Sequence, residues 1–213
     1  MVQVIRPQLA IATATITVDP APGITAAIDH LIGLGHRTVT FIGRGGPYPI
    51  DRARLDSFTA ALARHALAPA ERDVLLVSNY AVELAYKEMR TRLASTDLPT
   101  AVFAAGDNLA LGVLRALYEA RLRVPDDVSL VSYDDVFAAD LYPPLASVVQ
   151  PLAEVGERAV TLLTERLDSA NWADCRPIHI TLPTSFITRA STCPPHVVPA
   201  RYRGIDGVRG GIP

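Results

Sequence analysis

The stretch "TAVFAAGDNLALGVLRALYEARLRVPDDVSLVSYDD", Thr100 to Asp135, decides the fold. Ala101–Ala105 is an unbroken apolar run that stops at Gly106-Asp107. Val128–Val131 is a second apolar run, and it leads into Tyr133-Asp134-Asp135. Between them, Asn108 to Arg121 carries apolar residues at helical spacing. Short continuous apolar strands joined by an amphipathic helix predict a parallel sheet covered on both faces. In such a sheet ligands bind beyond the carboxyl ends of the strands. Both runs end there on a carboxylate.

The same rhythm extends outward. Thr15–Val18, Val39–Ile42 and Val74–Val77 read as strands, and 24–34, 51–65 and 82–93 as helices. Gly35 predicts a left-handed stop to the first helix. After Asp135 the pattern changes. Pro143-Pro144 excludes a long helix, Ser147–Gln150 reads as extended, and Pro151 suits the first turn of a helix to about residue 167. Ile178–Leu182 and Ser185–Thr188 are the last strand candidates, and a Pro- and Gly-rich tail without period follows from Pro194. The fold class is α/β, with a doubly wound parallel sheet.

The chain has 213 residues, 49% of them hydrophobic, with a formal net charge of −2, so no basic nucleic-acid footprint is present. Two cysteines, Cys175 and Cys193, make neither a disulfide framework nor a zinc pattern, and a reducing, cytoplasmic setting is expected. A weak apolar-to-small run near the N-terminus, "LAIATATITV", lacks the basic flank of a signal peptide. No apolar run is long enough for a membrane span.

The strand ends carry the candidate site: Asp107, Asp134, Arg44, Tyr48, Asn79 and Tyr80, with Arg54 opening a helix. Paired acids, an arginine and tyrosines suit a neutral polyol such as a sugar or nucleoside. Carboxylates accept from hydroxyls, arginine donates, and an aromatic face covers the apolar side of a ring. Simpler duties compete with this one. Asp107 stands where a helix cap is wanted. Asp126 and Asp127 fit turn chemistry. Tyr80 would serve as rim packing, and Arg54 as partner to a surface acid. His36 at a helix end suits dipole compensation. "GRGG" (Gly43 to Gly46) lacks dinucleotide spacing, no phosphate loop or nucleophile elbow occurs, and the five histidines show no metal-ligand spacing. No cofactor and no enzymatic activity are expected.

Six linked motifs carry a resemblance: "AAIDHLIGLGHRTVTFIG" (Ala26 to Gly43), "RLDSF" (Arg54 to Phe58), "TAVFAAGDNLALGVLRAL" (Thr100 to Leu117), "RVPDDVSLVSYDD" (Arg123 to Asp135), "PPLASVVQP" (Pro143 to Pro151) and "TRASTCPP" (Thr188 to Pro195). In order and spacing the chain resembles the sensor core of LacI/GalR-type transcriptional regulators from about Asp19 to Pro195. The resemblance implies a bilobed, periplasmic-binding-protein-like core that holds a sugar or nucleoside effector between its lobes. It implies a homodimer, and operator DNA bound through a helix-turn-helix head that this sequence does not include. Arg54 and Asp134 match effector-contacting positions, Tyr80 matches a stacking aromatic, and Gln150 lies in a crossover at the cleft. Asp107 and, more loosely, Tyr48 complete the set. Leu111 and Tyr142 fall where the family packs its dimer.

The resemblance also divides the chain. Residues 1–17 correspond to a remnant of the first lobe, 18–150 and 178–192 to the second lobe, 151–177 to a helix and connection belonging to the first lobe, and 194–213 to a loose tail. The helix at 151–168 is expected to have lost its sheet, leaving Val155, Ala159, Leu162 and Leu163 in search of cover. Gly106 stands where the family often has asparagine, and Ser57 where it often has glycine. The alternatives are a transport-type sugar-binding protein of the same fold, a Rossmann-like enzyme, and a truncated product without a separate role.

Overall fold

A computed structural model describes residues 2–5, 14–95, 97–168 and 178–196. The tail beyond His196, most of the expected first-lobe remnant and the connection at 169–177 lie outside the described residues. The elements run β1 (Val2–Val4), β2 (Ala14–Asp19), α1 (Ala21–Gly33), β3 (Thr40–Arg44), α2 (Pro49–Ala63), β4 (Val74–Val77), α3 (Val82–Leu93), β5 (Ala101–Ala104), α4 (Asp107–Glu119), β6 (Ser129–Asp134), β7 (Ala146–Val149), α5 (Leu152–Asp168), β8 (His179–Pro183) and β9 (Ser185–Ile187).

Two sheets result. The larger has the order β4-β3-β5-β6-β7-β9, parallel except for β9, which runs antiparallel to β7. Its central strands are the apolar runs of the sequence, and every residue of β5 is buried. Alternate side chains feed two cores. Val102 and Leu130 meet Leu109, Val113 and Leu117 of α4 and Met89 of α3 on one face. Phe41, Phe103 and Val131 meet Ile24, Ile28, Phe58 and Leu62 of α1 and α2 on the other. Phe58 and Phe103 both lie against the Phe41 ring, with centroids 5.1 and 6.1 Å away. This is the two-sided burial that continuous apolar strands imply. Gly35 ends α1 at φ +107°, a conformation that only glycine adopts without strain.

The smaller sheet has the order β1-β2-β8, all parallel. It corrects two expectations. The segment Ile178–Leu182 pairs with β2 instead of joining the large sheet, so the final return to the large sheet comes only at β9. Helix α5 has not lost its sheet either: Val155 and Leu162 are buried against Ala14, Ile16, Val18 and Leu182, with Ala159 beside them. The alternation of β2 turns these three residues to one face, while Thr15, Thr17 and Asp19 stay half-exposed on the other. Leu163 alone of the four named helix positions remains exposed.

The chain passes between the sheets at Asp19-Pro20, at Gln150-Pro151 and at Thr184. Thr184 ties the first and last of these passages together. Its backbone N–H and its hydroxyl both donate to the Asp19 carbonyl, and its hydroxyl accepts from the Gly23 N–H.

At the opposite end of the large sheet, His36 is buried rather than poised at a helix end. Its ring nitrogens lie 3.0 Å from Thr100 Oγ1, 3.2 Å from Ser129 Oγ and 3.0 Å from the Cys193 carbonyl. A neutral ring stitching three segments replaces the expected charge–dipole contact. Burial lowers the His36 pKa below the ordinary 6.5, partly offset by the Cys193 carbonyl. The unfolded chain therefore binds the proton more readily than the fold does. The resulting stability is complete above pH 6.5 and is lost as pH falls below it. Urea titrations between pH 7.5 and pH 5 should show this decline, and His36→Gln, uncharged throughout, should flatten it.

Candidate functional site

The carboxyl ends of β3, β4, β5, β6 and β7 form one rim, and the loops and helix starts beyond them carry the polar side chains. Arg54 sits in the second turn of α2, with its side chain 3% exposed. Burying a guanidinium is costly unless each face finds a partner. Nη1 donates to the Ala105 carbonyl at 2.7 Å and to the Tyr80 hydroxyl at 3.1 Å, and Nη2 donates to Asp134 Oδ1 at 3.4 Å. The guanidinium carbon lies 3.9 Å from the centroid of the Tyr133 ring. Burial alone would depress its pKa, but Tyr133, Asp134, Tyr80 and Asp51 hold it above the ordinary value.

Strand β6 runs three residues past its apolar run. Tyr133 is therefore buried, and Asp134 occupies the last strand position, partly exposed at the rim. Asp134 has φ +99° and Asp135 φ +59°, a left-handed exit that non-glycine residues adopt only when the surroundings hold it. The surroundings do so twice. Gln150 Nε2 donates to Asp134 Oδ1 at 2.5 Å, and Arg189 grips Asp135 through both oxygens at 2.6 and 2.9 Å. Gln150 Oε1 is buried and makes no hydrogen bond among the described residues. Burial pushes the Tyr133 phenol up to about 12, so it stays protonated.

Tyr80 follows β4 and lies over Gly106. A Cβ at residue 106 would come within 3.1 and 3.2 Å of the Tyr80 ring. The Tyr80 hydroxyl donates to Asp51 Oδ1 at 2.6 Å. Asp51 Oδ2 lies 3.6 Å from Arg44 Nε, and the Arg44 guanidinium covers the Tyr48 ring at 4.0 Å. A continuous chain of contacts thus runs from Tyr48 through Arg44, Asp51, Tyr80, Arg54 and Asp134 to Gln150.

Four of the six expected effector residues, Arg54, Tyr80, Asp134 and Gln150, converge directly. Tyr48 joins through Arg44. Asp107 does not join. It opens α4 without capping it, Gly106 being the cap, and its carboxylate turns inward. Oδ1 accepts from Ser132 Oγ at 2.5 Å, and Oδ2 accepts from the backbone N–H groups of Val136 and Phe137 at 2.7 and 3.0 Å. Asp107 holds the loop that carries Asp134 and Asp135. Asn79 accepts from the Ala81 N–H in a local turn. Asp51, Tyr133 and Arg189 were not singled out from the sequence; the only clue to Asp51 was its place in the first turn of a helix leaving the rim.

Leu111 and Tyr142 lie apart from this rim. With Val82, Leu114, Tyr118 and Pro143 they line a shallow apolar groove. Tyr118 and Tyr142 are 83% and 96% exposed. Among the described residues, no three His, Cys, Asp or Glu side chains are grouped to hold a metal ion.

The family model described as a periplasmic binding protein-like domain matches residues 28–192. The lactose operon repressor of Rhizobium radiobacter is 40% identical over 114 residues, covering 53% of this chain and 97% of that protein. The chain belongs to the periplasmic-binding-protein-like family, in the branch of LacI-type transcriptional regulators. The HTH-type transcriptional repressor PurR of Pasteurella multocida is 36% identical over 143 residues, 67% of this chain and 42% of PurR, so the chain spans under half the length of that LacI-type relative. A LacI family regulator from Enterococcus faecium, solved with bound ribose, superposes with a TM-score of 0.79 at 27% identity, over 91% of this chain and 70% of that one. These LacI-type relatives are regulators, not enzymes.

Arg54→Ala removes three hydrogen bonds from a buried, charged donor and should lower the unfolding free energy by about 3 kcal/mol. Tyr80→Phe, which removes a hydroxyl that donates to Asp51 and accepts from Arg54, should cost about 2 kcal/mol. Equilibrium urea unfolding of the two variants against the parent chain checks both values.

Proposed function

We propose that this chain is the effector-sensing core of a LacI-type regulator, and that it receives a sugar or nucleoside against the rim formed by Arg54, Tyr80, Asp134 and Gln150. The observation that carries the reading is their convergence at one end of one sheet. Arg54 is held rigid from behind, and it fixes Asp134 and the Tyr80 hydroxyl. Asp134, partly exposed, offers acceptor oxygens to vicinal hydroxyls, and Tyr80 offers a ring face. The ribose bound by the Enterococcus faecium regulator supports the class of ligand. Asp107 and Tyr48 act at one remove, Asp107 as the anchor of the Asp134 loop and Tyr48 as a platform for Arg44.

The rim lies beside the three passages between the two sheets. An effector bound there and to the other sheet's layer would favour one angle between them over another. That is a population shift, the physical form of effector control. Its readout would be a homodimer packed through the Leu111–Tyr142 groove, acting in the cytoplasm on operator DNA held by a separate head.

Two experiments test this. Amide-resolved NMR titration with ribose, glucose and adenosine should shift signals around residues 48–54, 79–81, 105–107 and 133–136. Asp134→Asn, which keeps the shape and the Gln150 neighbour, should weaken that binding by about tenfold, equivalent to one charged hydrogen bond. Signals that respond equally in the variant would rule out the site. For the groove, sedimentation equilibrium of the parent chain should show a monomer–dimer equilibrium that Tyr142→Asp shifts to monomer.

A further inference from the structure

The starts of α1, α2, α3 and α4 all lie on the effector rim, because each helix runs antiparallel to the strands of the large sheet. Helix N-termini present unpaired N–H groups and a partial positive charge, and in α/β folds they are ready-made anion sites. Here a carboxylate of the chain itself stands beside each start, although only Asp19 bonds a helix N–H directly. Asp19 Oδ1 accepts from the Ala21 N–H at the start of α1, at 2.9 Å. Asp51, Glu83 and Asp107 occupy the first turns of α2, α3 and α4. Asp107 also fills the pair of backbone N–H groups at Val136 and Phe137, a small concavity of the kind that otherwise binds an anion.

The arginines are matched in the same way. Arg54 faces Asp134, Arg44 faces Asp51 and Arg189 faces Asp135. The rim is rich in charge but carries no uncompensated positive charge. A phosphoryl or carboxylate group arriving here would leave water for a surface whose guanidinium charges already face internal carboxylates.

Resting on the proposed effector reading, we infer that the rim selects uncharged polyhydroxyl effectors and rejects their phosphorylated or carboxylated counterparts, and that Asp51 is the positioning residue that sets this selectivity. Asp51 is central for three reasons. Its side chain is 1% exposed, it neutralises both the α2 terminus and Arg44, and it holds the Tyr80 hydroxyl. Gly106 leaves room for the last contact: a Cβ there would press on the Tyr80 ring at 3.1 and 3.2 Å and push it by a few tenths of an ångström. Replacing the Asp51 carboxylate by an amide preserves an acceptor for Tyr80 but releases Arg44 and the helix terminus for an external anion.

The test is NMR titration of the full chain at fixed ionic strength with three matched pairs: ribose and ribose 5-phosphate, glucose and glucose 6-phosphate, adenosine and adenosine 5′-monophosphate. The neutral member of at least one pair should shift the rim signals, with its phosphate binding about tenfold more weakly or worse. Asp51→Asn should move the ratio of phosphate affinity to neutral-ligand affinity about tenfold toward the phosphate. A merely structural role for Asp51 would weaken both alike. Arg44→Gln, at a partly exposed position, provides a second variant should Asp51→Asn unfold, and it should sharpen the rejection. A phosphate that binds the parent chain as well as its neutral partner overturns the selectivity and leaves the effector reading intact. Equal selectivity in parent and variants overturns the role of Asp51. Rim signals silent to all six compounds overturn the effector reading, and this inference with it.

Discussion

A guanidinium buried at the end of a parallel sheet constrains everything around it. Arg54 has left water almost completely, so its charge must be answered within the fold; its two Nη groups find partners, while the buried Nε has none among the described residues. The answers come from three separate segments: the β5 exit through the Ala105 carbonyl, the β4 exit through Tyr80, and the β6 end through Tyr133 and Asp134. Gln150, from the crossover after β7, reaches the same carboxylate. Five strand ends are thereby fixed relative to one another without a metal or a disulfide among the described residues. A surface built this way is preorganised. A ligand that exploits Asp134 and Tyr80 does not have to order them, and that saves affinity otherwise lost on binding.

The same constraint explains why the acids of the opening stretch diverge in duty. Asp107 and Asp134 both follow apolar runs and both look toward the rim in a linear reading. Strand β6 continues through Tyr133, so Asp134 emerges at the edge beside Arg54. Helix α4 instead starts directly after Gly106, which turns Asp107 down toward Ser132 and the 136–137 backbone. How far a strand runs past its apolar core, three residues in β6 and none in β5, decides between ligand contact and loop anchor. That length depends on pairing with neighbours, Val131 to Asp134 against Ala146 to Val149, which lies elsewhere in the chain.

The parallel sheet, its helices and their order were legible, because apolar periodicity is a local signal and the strands are buried on both faces. The meeting of Arg54, Tyr80 and Asp134 was legible too, since strand ends of one parallel sheet share a rim whatever the details. Three things were not. The partition of β8 to the small sheet and of β9 to the large one depends on Thr184, a single residue bonded to Asp19 and Gly23 across the whole sequence. The seat of α5 depends on the alternation of β2, a strand too short for its pattern to announce which helix covers it. His36 looks like a charge at a helix end and is a neutral crosslink, because the chain from 188 to 196 folds back over it. Each miss is a long-range contact with no trace in local sequence.

Asp51 was missed for a different reason. An acidic residue in the first turn of a helix is ordinary helix chemistry, worth a few tenths of a kcal/mol to about 1 kcal/mol, and needs no further explanation at one helix. At three helices that open on one rim, with Asp19 standing before a fourth and the arginines there matched by carboxylates, the sum is a property of the surface rather than of any helix. Local stability and ligand discrimination are then served by the same side chains. A carboxylate that calms a helix terminus also denies that terminus to an anionic ligand, and a site assembled wholly from such pairs distinguishes neutral from charged effectors before any contact specific to the sugar is made.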